Sequence, residues 1–218
     1  MHIFITGTDT EVGKTYVSCL LIRALRQAGI DAVGMKPISC GDRADAEELH
    51  AASDGVATLN EINPVWLRTP AAPYTAAMIE ERPIDLALIR EGFDRLKAVH
   101  EMVVMEGVGG WRVPIAQDYC VSDLAREFSL PVLVVAANKL GALNHTILTV
   151  EAVRQSGLEC LGVVWNDAAA DVASPAAATN KAVFDSLVQA GISLGVNHDQ
   201  AALTQADITT VLSVFRQQ

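Results

Sequence analysis

The sequence predicts an α/β fold of three layers, in which a mostly parallel sheet carries helices on both faces. Short apolar runs alternate with segments of helical periodicity, and one run, Pro131–Ala137, is apolar without interruption. Such alternation favours parallel strands joined by right-handed crossovers. An uninterrupted apolar strand is typical of burial on both faces. The length of 218 residues suits a single domain spanning 1–218.

Glycine and proline mark the first elements. His2–Thr6 is a β-rich run that ends at Gly7, and apolar residues then recur at helical spacing over 12–28. A second predicted strand, Asp31–Lys36, ends at Pro37. The sequence therefore begins with a strand, a helix and a strand, as a parallel sheet requires.

The rest of the chain continues the alternation. The alanine-rich segment 168–178 is predicted to be a mobile surface loop. Polar or glycine-rich segments follow five of the predicted strands, where parallel sheets bind their ligands. The remaining predicted elements are a helix over 84–98, a strand Met102–Met105 that stops at Glu106, a strand Pro131–Ala137, a helix over 143–156, strands Cys160–Trp165 and Ile192–Val196, and a helix near 203–215.

Charge and composition argue against several functional classes. The net charge is −10 and the isoelectric point about 4.9, so nucleic acid and membrane are not expected as partners. The four cysteines form no CxxC pair, and Cys19 and Cys160 lie in apolar runs that predict buried, reduced thiols. The amino terminus turns polar after six residues and no apolar stretch reaches spanning length, so we expect a cytoplasmic protein.

A phosphate-binding loop is the strongest motif. The segment Gly7–Thr15, GTDTEVGKT, joins a predicted strand to a predicted helix. Its glycines let backbone N–H groups face phosphate oxygens, Lys14 can reach the β- and γ-phosphates, and the Thr15 hydroxyl can ligate Mg²⁺. Five residues separate Gly7 from Gly13, one more than in the common pattern. The motif predicts a site for ATP and Mg²⁺ in a fold like that of P-loop NTPases.

Two charged residues end neighbouring predicted strands. Lys36 closes the second strand, where it is either an ordinary solvated terminus or a cation facing transferred phosphate. Glu106 closes the third and is either a Mg²⁺ ligand or an incidental acid in a glycine-rich turn. Further acids lie in the loop predicted after the second strand, and residue chemistry does not choose among them: Asp42, Asp45, Glu47 and Glu48.

Polar side chains also follow the later strands. Asn166 and Asp167 come after the fifth predicted strand, where the asparagine amide suits either the adenine edge or turn capping. His145 is interpreted as a residue of a helix's first turn rather than a general base, because phosphoryl transfer needs positioning more than proton removal.

The motifs together resemble dethiobiotin synthetase, a biotin-pathway ligase that uses ATP. The wide phosphate loop and the Glu-Gly-x-Gly-Gly-Trp element are the most specific, and the resemblance runs from residue 2 to about 167. The segments that carry it are Gly7–Thr15, Lys36-Pro37-Ile38, Asp45-Ala46, Glu106–Trp111, Leu140-Gly141, Asn144-His145 and Asn166-Asp167.

This resemblance implies a substrate and a reaction. The substrate would be 7,8-diaminononanoate, one amine of which takes up CO₂ to form a carbamate. ATP would phosphorylate the carbamate to a carbamic–phosphoric anhydride, and the second amine would close a cyclic urea. The family is a homodimer with its substrate site at the subunit boundary, so a homodimer is expected here.

The resemblance also assigns roles to residues. Lys36 and Lys14 would be catalytic, and Thr15, Asp45 and Glu106 would surround the metal. Thr10, Cys40, Gly109 and Asn144 would contact the substrate. The nucleotide and metal would be bound by Glu11, Val12, Gly13, Lys14, Thr15, Tyr16, Asp45, Glu106, Gly107, Val108, Gly109, Asn166 and Asp167.

The sequence departs from the family pattern at three places. Cys40 stands where serine or threonine is usual, and a thiol is a weaker hydrogen-bond donor than a hydroxyl. Tyr74 stands where histidine is usual. The carboxyl-terminal region lacks the family's Gly-x-Ile-Pro pattern, for which 194–197 is the nearest match.

Two other classes compete with this interpretation. An amide ligase of the cobyrinate type shares the wide loop but needs a glutamine-hydrolysing domain, for which 218 residues leave no room. A switch ATPase of the partitioning or division-site kind would bind a protein partner. Such proteins carry an extra lysine early in the phosphate loop, which positions 8–12 lack, and 203–218 offers a single Arg216 for membrane docking.

Overall fold

Six parallel strands form the central sheet in the computed structural model, which describes residues 2–167, 174–197 and 200–215. The sheet comprises β1 (Ile3–Gly7), β2 (Ala32–Met35), β5 (Met102–Gly110), β8 (Val132–Ala137), β9 (Cys160–Asp167) and β10 (Ile192–Asn197) in the order β10-β9-β8-β1-β5-β2. All five neighbouring pairs are parallel, as predicted.

Helices and small sheets surround these strands. Two two-stranded sheets pair β3 (Ile38–Cys40) with β4 (Val65–Leu67), and β6 (Pro114–Ala116) with β7 (Tyr119–Cys120). The helices are α1 (Lys14–Gln27), α2 (Ala44–Ala52), α3 (Leu59–Ile62), α4 (Pro73–Ile79), α5 (Leu86–Val99), α6 (Val121–Glu127), α7 (Ala142–Gln155), α8 (Pro175–Leu187) and α9 (Gln205–Phe215).

The core lies around the middle of the sheet. Every residue of β1 is buried, as are the first five residues of β8, so both faces of these strands are covered. β1 lies between β5 and β8 and feeds directly into the phosphate loop. Because all six strands run the same way, the residues after β1, β2, β5, β8 and β9 meet at one edge of the sheet.

Three predicted boundaries were wrong near this edge. β5 does not stop at Glu106 but continues to Gly110, because Gly110 still pairs with Gly7 of β1. β9 likewise includes Asn166 and Asp167, which pair with Val196 and Asn197 of β10. Asp45 lies in the first turn of α2 rather than in a loop.

The segment predicted as an alanine-rich loop is partly helical. Residues 168–173 lie outside the described residues, whereas α8 begins at Pro175 and takes in the alanines that follow. Proline suits the first helical turn and alanine has the highest helix propensity, so the composition itself supports this helix. Cys19 is buried as predicted, but Cys160, the first residue of β9, is half-buried.

Several short elements were not predicted. β3, β4, β6 and β7 have two or three residues each, too few to show a period-two pattern. Among the described residues, no helix is both long enough and apolar enough to cross a membrane.

Candidate active site

The phosphate loop connects β1 to α1 through two residues with positive φ. Gly13 precedes α1 with φ 88°, and Glu11 has φ 58°. A positive φ is easy for glycine and costly for most other residues. This turn sets the backbone of Gly13 at the amino-terminal end of α1, where the helix dipole favours an anion.

Asn166 packs directly against this loop. Its Nδ2 donates a 3.0 Å hydrogen bond to the carbonyl of Val12, and a Cβ added at Gly13 would lie 1.9 Å from the same nitrogen. Only glycine fits here on both conformational and steric grounds. Asn166, near the end of β9, therefore supports the phosphate loop that follows β1. These two segments are far apart in the sequence, and the arrangement of the strands in the sheet brings them together.

Lys14 points back over the loop. Its Nζ donates a 2.9 Å hydrogen bond to the carbonyl of Asp9, and the side chain is buried. Burial, followed by repulsion from Lys36, lowers the pKa of Lys14 to about 8. The protonated form of Lys14 is thus destabilised by its surroundings. A bound anion would stabilise it, and this favours the binding of phosphate.

A second cation lies at the centre of a carboxylate pair. Lys36 Nζ is 2.6 Å from Asp45 Oδ2 and 2.6 Å from Glu106 Oε1. Thr15 Oγ1 lies 2.8 Å from Asp45 Oδ1 and 2.9 Å from Glu106 Oε1, close enough to donate to either. Thr15 at the start of α1, Lys36 directly after β2, Asp45 at the start of α2 and Glu106 within β5 thus form one cluster of polar and charged groups.

Lys36 and Asp45 keep their charges although Lys36 is buried and Asp45 is partly buried. Burial acts to lower the pKa of Lys36, but the charges of Glu106 and Asp45 outweigh it and raise the pKa overall. For Asp45, burial acts to raise the pKa, yet the nearby Lys36 lowers it overall. Lys36 is therefore protonated and Asp45 ionised at neutral pH.

The donor set around Thr15 suits magnesium. Mg²⁺ prefers a few protein oxygens and completes its shell with water and phosphate oxygens. Thr15 supplies a hydroxyl, Asp45 and Glu106 supply carboxylates, and Glu106 Oε2 is buried with no hydrogen-bond partner among the described residues. Within 2–167, 174–197 and 200–215 there is no group of three or more acidic, histidine or cysteine side chains arranged to hold a metal alone. The set fits an ion that shares its shell with a nucleotide.

A cleft of about 770 Å³ opens beside the cluster. The phosphate loop forms one wall, and the ends of β3 and β5 with the segment 70–73 form the others. Gly109, with φ 62°, turns the backbone of β5 along this cleft. The predicted site residues that line it are Thr10, Glu11, Gly13, Lys14, Thr15, Tyr16, Lys36, Cys40, Asp45, Val108 and Gly109.

Other predicted site residues lie outside the cleft surface. Val12 and Glu106 are buried, and a Cβ at Gly107 would lie 3.0 Å from the Phe4 ring. Asn166 is buried behind the phosphate loop. Asp167 Oδ1 accepts a hydrogen bond of 2.7 Å from Asn138 Nδ2. Asn144 is exposed in the first turn of α7.

Sequence reasoning missed an amide network next to Asn166. Asn138 N donates to the Asn166 carbonyl over 2.8 Å, and Asn138 Nδ2 also reaches the Ala177 carbonyl over 2.9 Å. Asn180 Nδ2 donates to Asn138 Oδ1 over 3.0 Å. Asn138 directly follows the apolar strand β8, and a polar residue after an apolar run is the same signal that singled out Asn166. The network fixes α8 beside the ends of β8 and β9.

Comparison with known proteins decides the family. A family model described as an AAA domain matches residues 1–211. An ATP-dependent dethiobiotin synthetase of Akkermansia muciniphila is 49% identical over 199 residues, which cover 91% of this chain and 93% of that protein. Another, from Aromatoleum aromaticum, is 45% identical over 171 residues, 75% of this chain and 76% of the relative. The chain belongs to the ATP-dependent dethiobiotin synthetase family. The family predicted from the motifs is thus confirmed.

Solved structures resemble this synthetase-family chain in fold. The septum site-determining protein MinD of Pyrococcus horikoshii, complexed with Mg-ADP, has a TM-score of 0.56 at 17% identity and matches 91% of this chain and 82% of its own. A plasmid partition protein of Borrelia burgdorferi, bound to AMPPNP, has a TM-score of 0.55 at 12% identity, with 99% and 98% covered. At such identities the likeness establishes the P-loop NTPase-like fold alone.

Proposed function

We propose that the chain closes a cyclic urea on 7,8-diaminononanoate, using CO₂ and ATP, and releases ADP and phosphate. The observation that carries the proposal is the position of two lysines at one cleft. Lys14 belongs to the phosphate loop, and Lys36 is held between Asp45 and Glu106 at 2.6 Å from each. Membership of the dethiobiotin synthetase family supports this reaction.

The first step brings two anions together. The nitrogen of one substrate amine bonds to the carbon of CO₂ and loses a proton, which gives a carbamate anion. A carbamate oxygen then attacks the γ-phosphorus of ATP while the bond to the ADP oxygen breaks. The carbamate and the γ-phosphate repel each other, so cations beside both are needed to align them. Lys14 faces the phosphates and Lys36 faces the carbamate and the phosphoryl group in transfer.

The second step closes the ring. The remaining amine attacks the carbonyl carbon of the carbamic–phosphoric anhydride, the carbon–oxygen bond to phosphate breaks, and inorganic phosphate leaves. The attacking nitrogen loses its proton as the urea forms. Thr10, Cys40 and Gly109 lie along the cleft wall and orient the diamine.

Magnesium would be held by Thr15, Asp45 and Glu106. When bound there it supplies positive charge that offsets the charge on the phosphates. The residues of this chain would keep the site ready for it, since Thr15 Oγ1 already lies within 2.9 Å of both carboxylates.

Asn166 would recognise the adenine base. Its Nδ2 is used by the Val12 carbonyl, which leaves Oδ1, a buried acceptor that no described residue satisfies. The amino group of adenine is a donor, whereas guanine presents a carbonyl acceptor at the same position. An acceptor fixed in this orientation therefore favours ATP over GTP.

A homodimer would complete the substrate site. Asn144 lies in the first turn of α7 and does not line the cleft of its own chain, so it would reach substrate only from a second subunit. Leu140 and Leu148 on either side of it are 83% and 56% exposed, which suits burial against a partner. Light scattering tests the dimer directly, and a monomer at working concentration would contradict it.

ATP turnover separates this function from a switch ATPase. Purified protein is assayed for phosphate release with ATP and Mg²⁺, with and without diamine and bicarbonate. We expect release only when both are present, together with a cyclic urea product detected by mass spectrometry. Equal hydrolysis without the diamine would favour the switch.

A further inference from the structure

Tyr16 connects the phosphate loop to the last strand of the sheet. It follows Thr15 in the first turn of α1, and its hydroxyl lies 2.9 Å from the carbonyl of Asn197 and 2.7 Å from that of Gln200. A phenol hydroxyl carries one proton, so the two carbonyls share it. These two residues, Asn197 and Gln200, are called the β10 exit below.

The β10 exit is also held by bonds within itself. Gln200 N donates to the Asn197 carbonyl over 3.3 Å, and Asn197 N donates to Gln200 Oε1 over 3.2 Å. Gln200 Nε2 donates to the Ala202 carbonyl over 2.7 Å. These bonds shape the exit locally, whereas the bond from Tyr16 fixes it relative to α1.

The β10 exit is adjacent to the strand position of Asn166, the residue proposed to recognise the adenine base. β9 and β10 pair in parallel with Val196 opposite Asn166 and Asn197 opposite Asp167. Asn166 contacts the phosphate loop at Val12, two residues before Lys14. Asn166 is thus hydrogen-bonded to the phosphate loop, and the β10 exit is hydrogen-bonded to Tyr16 in the first turn of the helix that follows this loop.

We infer that Tyr16 is a positioning residue for the nucleotide base. Its hydroxyl holds the β10 exit against α1, so that the exit and Asn166 enclose the base from two sides. Lys14 and Thr15, which face the phosphates, do not depend on this bond. The inference rests on the proposed nucleotide site and adds how the base, as distinct from the phosphates, is held.

The experiment compares a ligand that has the base with one that lacks it. Titration calorimetry measures the affinity of ATP and of inorganic tripolyphosphate, each with Mg²⁺, for the wild type and for Tyr16→Phe. We expect Tyr16→Phe to weaken ATP about 3- to 10-fold, which is the value of one neutral hydrogen bond. Tripolyphosphate affinity should not change, and the preference for ATP over GTP should fall. Gln200→Ala, which loosens the same exit, should act in the same direction.

Tyr119→Phe is the matched control. It removes a hydroxyl that donates to Glu127 Oε2 over 2.5 Å, and because neither residue lines the cleft, both affinities should stay unchanged. Three results overturn the inference: unchanged ATP affinity in Tyr16→Phe with only a lower melting temperature, an equal loss for both ligands, or a wild type that binds ATP no tighter than tripolyphosphate. Failure of the wild type to bind tripolyphosphate at all would instead overturn the proposed phosphate site.

Discussion

Lys36 Nζ lies 2.6 Å from Glu106 Oε1, and both side chains are buried in the sheet edge. Lys36 directly follows β2 and Glu106 lies within the neighbouring strand β5, and the two residues are 70 positions apart in the chain. Because a buried charge is tolerated only when it is paired, each of these two side chains compensates the buried charge of the other. The pair is also the meeting point of the proposed metal and phosphoryl sites.

Replacing Lys36 tests the proposed catalytic role. Lys36→Ala removes the cation beside the transferred group, and we expect turnover to fall about 10²- to 10³-fold, the usual effect of losing one such donor. ATP binding should remain measurable by calorimetry, because Lys14 and the loop are intact. A variant that keeps most of its turnover would contradict the role.

Stability must be followed in the same experiment. Lys36→Ala leaves the Glu106 carboxylate buried without its cation, and such losses cost about 3–5 kcal/mol. Lys36→Arg keeps the positive charge and should be the more stable variant in urea unfolding. If Lys36→Arg is folded but inactive, then ammonium geometry, rather than charge alone, is required.

Glu106→Gln tests the proposed metal site by binding rather than by activity. The substitution keeps the size of the side chain but removes its charge, so Mg²⁺ affinity in the presence of a non-hydrolysable ATP analogue should fall about 10- to 100-fold, the range seen when groups that support a metal are altered. Glu48→Gln is the control, because Glu48 lines the cleft without joining the cluster. Equal affinities in all three proteins would exclude Glu106 from the metal site.

Cys40 should react slowly despite lining the cleft. Burial raises the pKa of Cys40 to about 11, so little thiolate is present near neutral pH. Its alkylation by iodoacetamide at pH 7.5, followed by peptide mass spectrometry, should be on the order of 100-fold slower than that of free cysteine. The rate should rise steadily to pH 10. Labelling at the rate of free cysteine would mean that the side chain is more exposed than the structure shows.

Gly13→Ala tests the contact between the phosphate loop and Asn166. The added Cβ would lie 1.9 Å from Asn166 Nδ2, on a backbone with φ 88°. We expect loss of ATP binding and a destabilisation above the roughly 1 kcal/mol that positive φ alone costs alanine. Gly29→Ala isolates that strain, because Gly29 has φ 84° and nothing within 4 Å of an added Cβ. Gly29→Ala should bind ATP normally; similar behaviour of the two variants would disprove the steric argument.

The sequence alone could not show which of the acidic residues after β2 belongs to the site. Four carboxylates follow that strand, and their chemistry alone is equivalent. α2 begins at Ala44, so Asp45 occupies its first turn and approaches Thr15 and Lys36. That helix is short and weakly amphipathic, and its start was not predicted. The choice of Asp45 therefore came first from family resemblance, and its contact with Lys36 only from packing.

Asn166 is a second residue whose contacts the sequence pattern could not predict. Its position near the end of a buried strand made it a candidate for base recognition or turn capping, and both interpretations assumed that the strand had ended. Pairing with β10 extends β9 through Asn166 and directs the amide at the Val12 carbonyl. Strand ends depend on hydrogen-bonding partners far along the chain, which a local pattern does not contain.

The sequence by itself determined the α/β class, the phosphate loop and the family, because apolar periodicity, glycine spacing and motif order are all properties of neighbouring residues. Only the tertiary structure decided which side chains meet: Lys36 with Glu106, Asn166 with the phosphate loop, and Tyr16 with the β10 exit. The reason is geometric. Strand order and helix packing set the distances between residues that are remote in sequence. A difference of a few ångströms in such a distance decides whether a charged side chain has a partner.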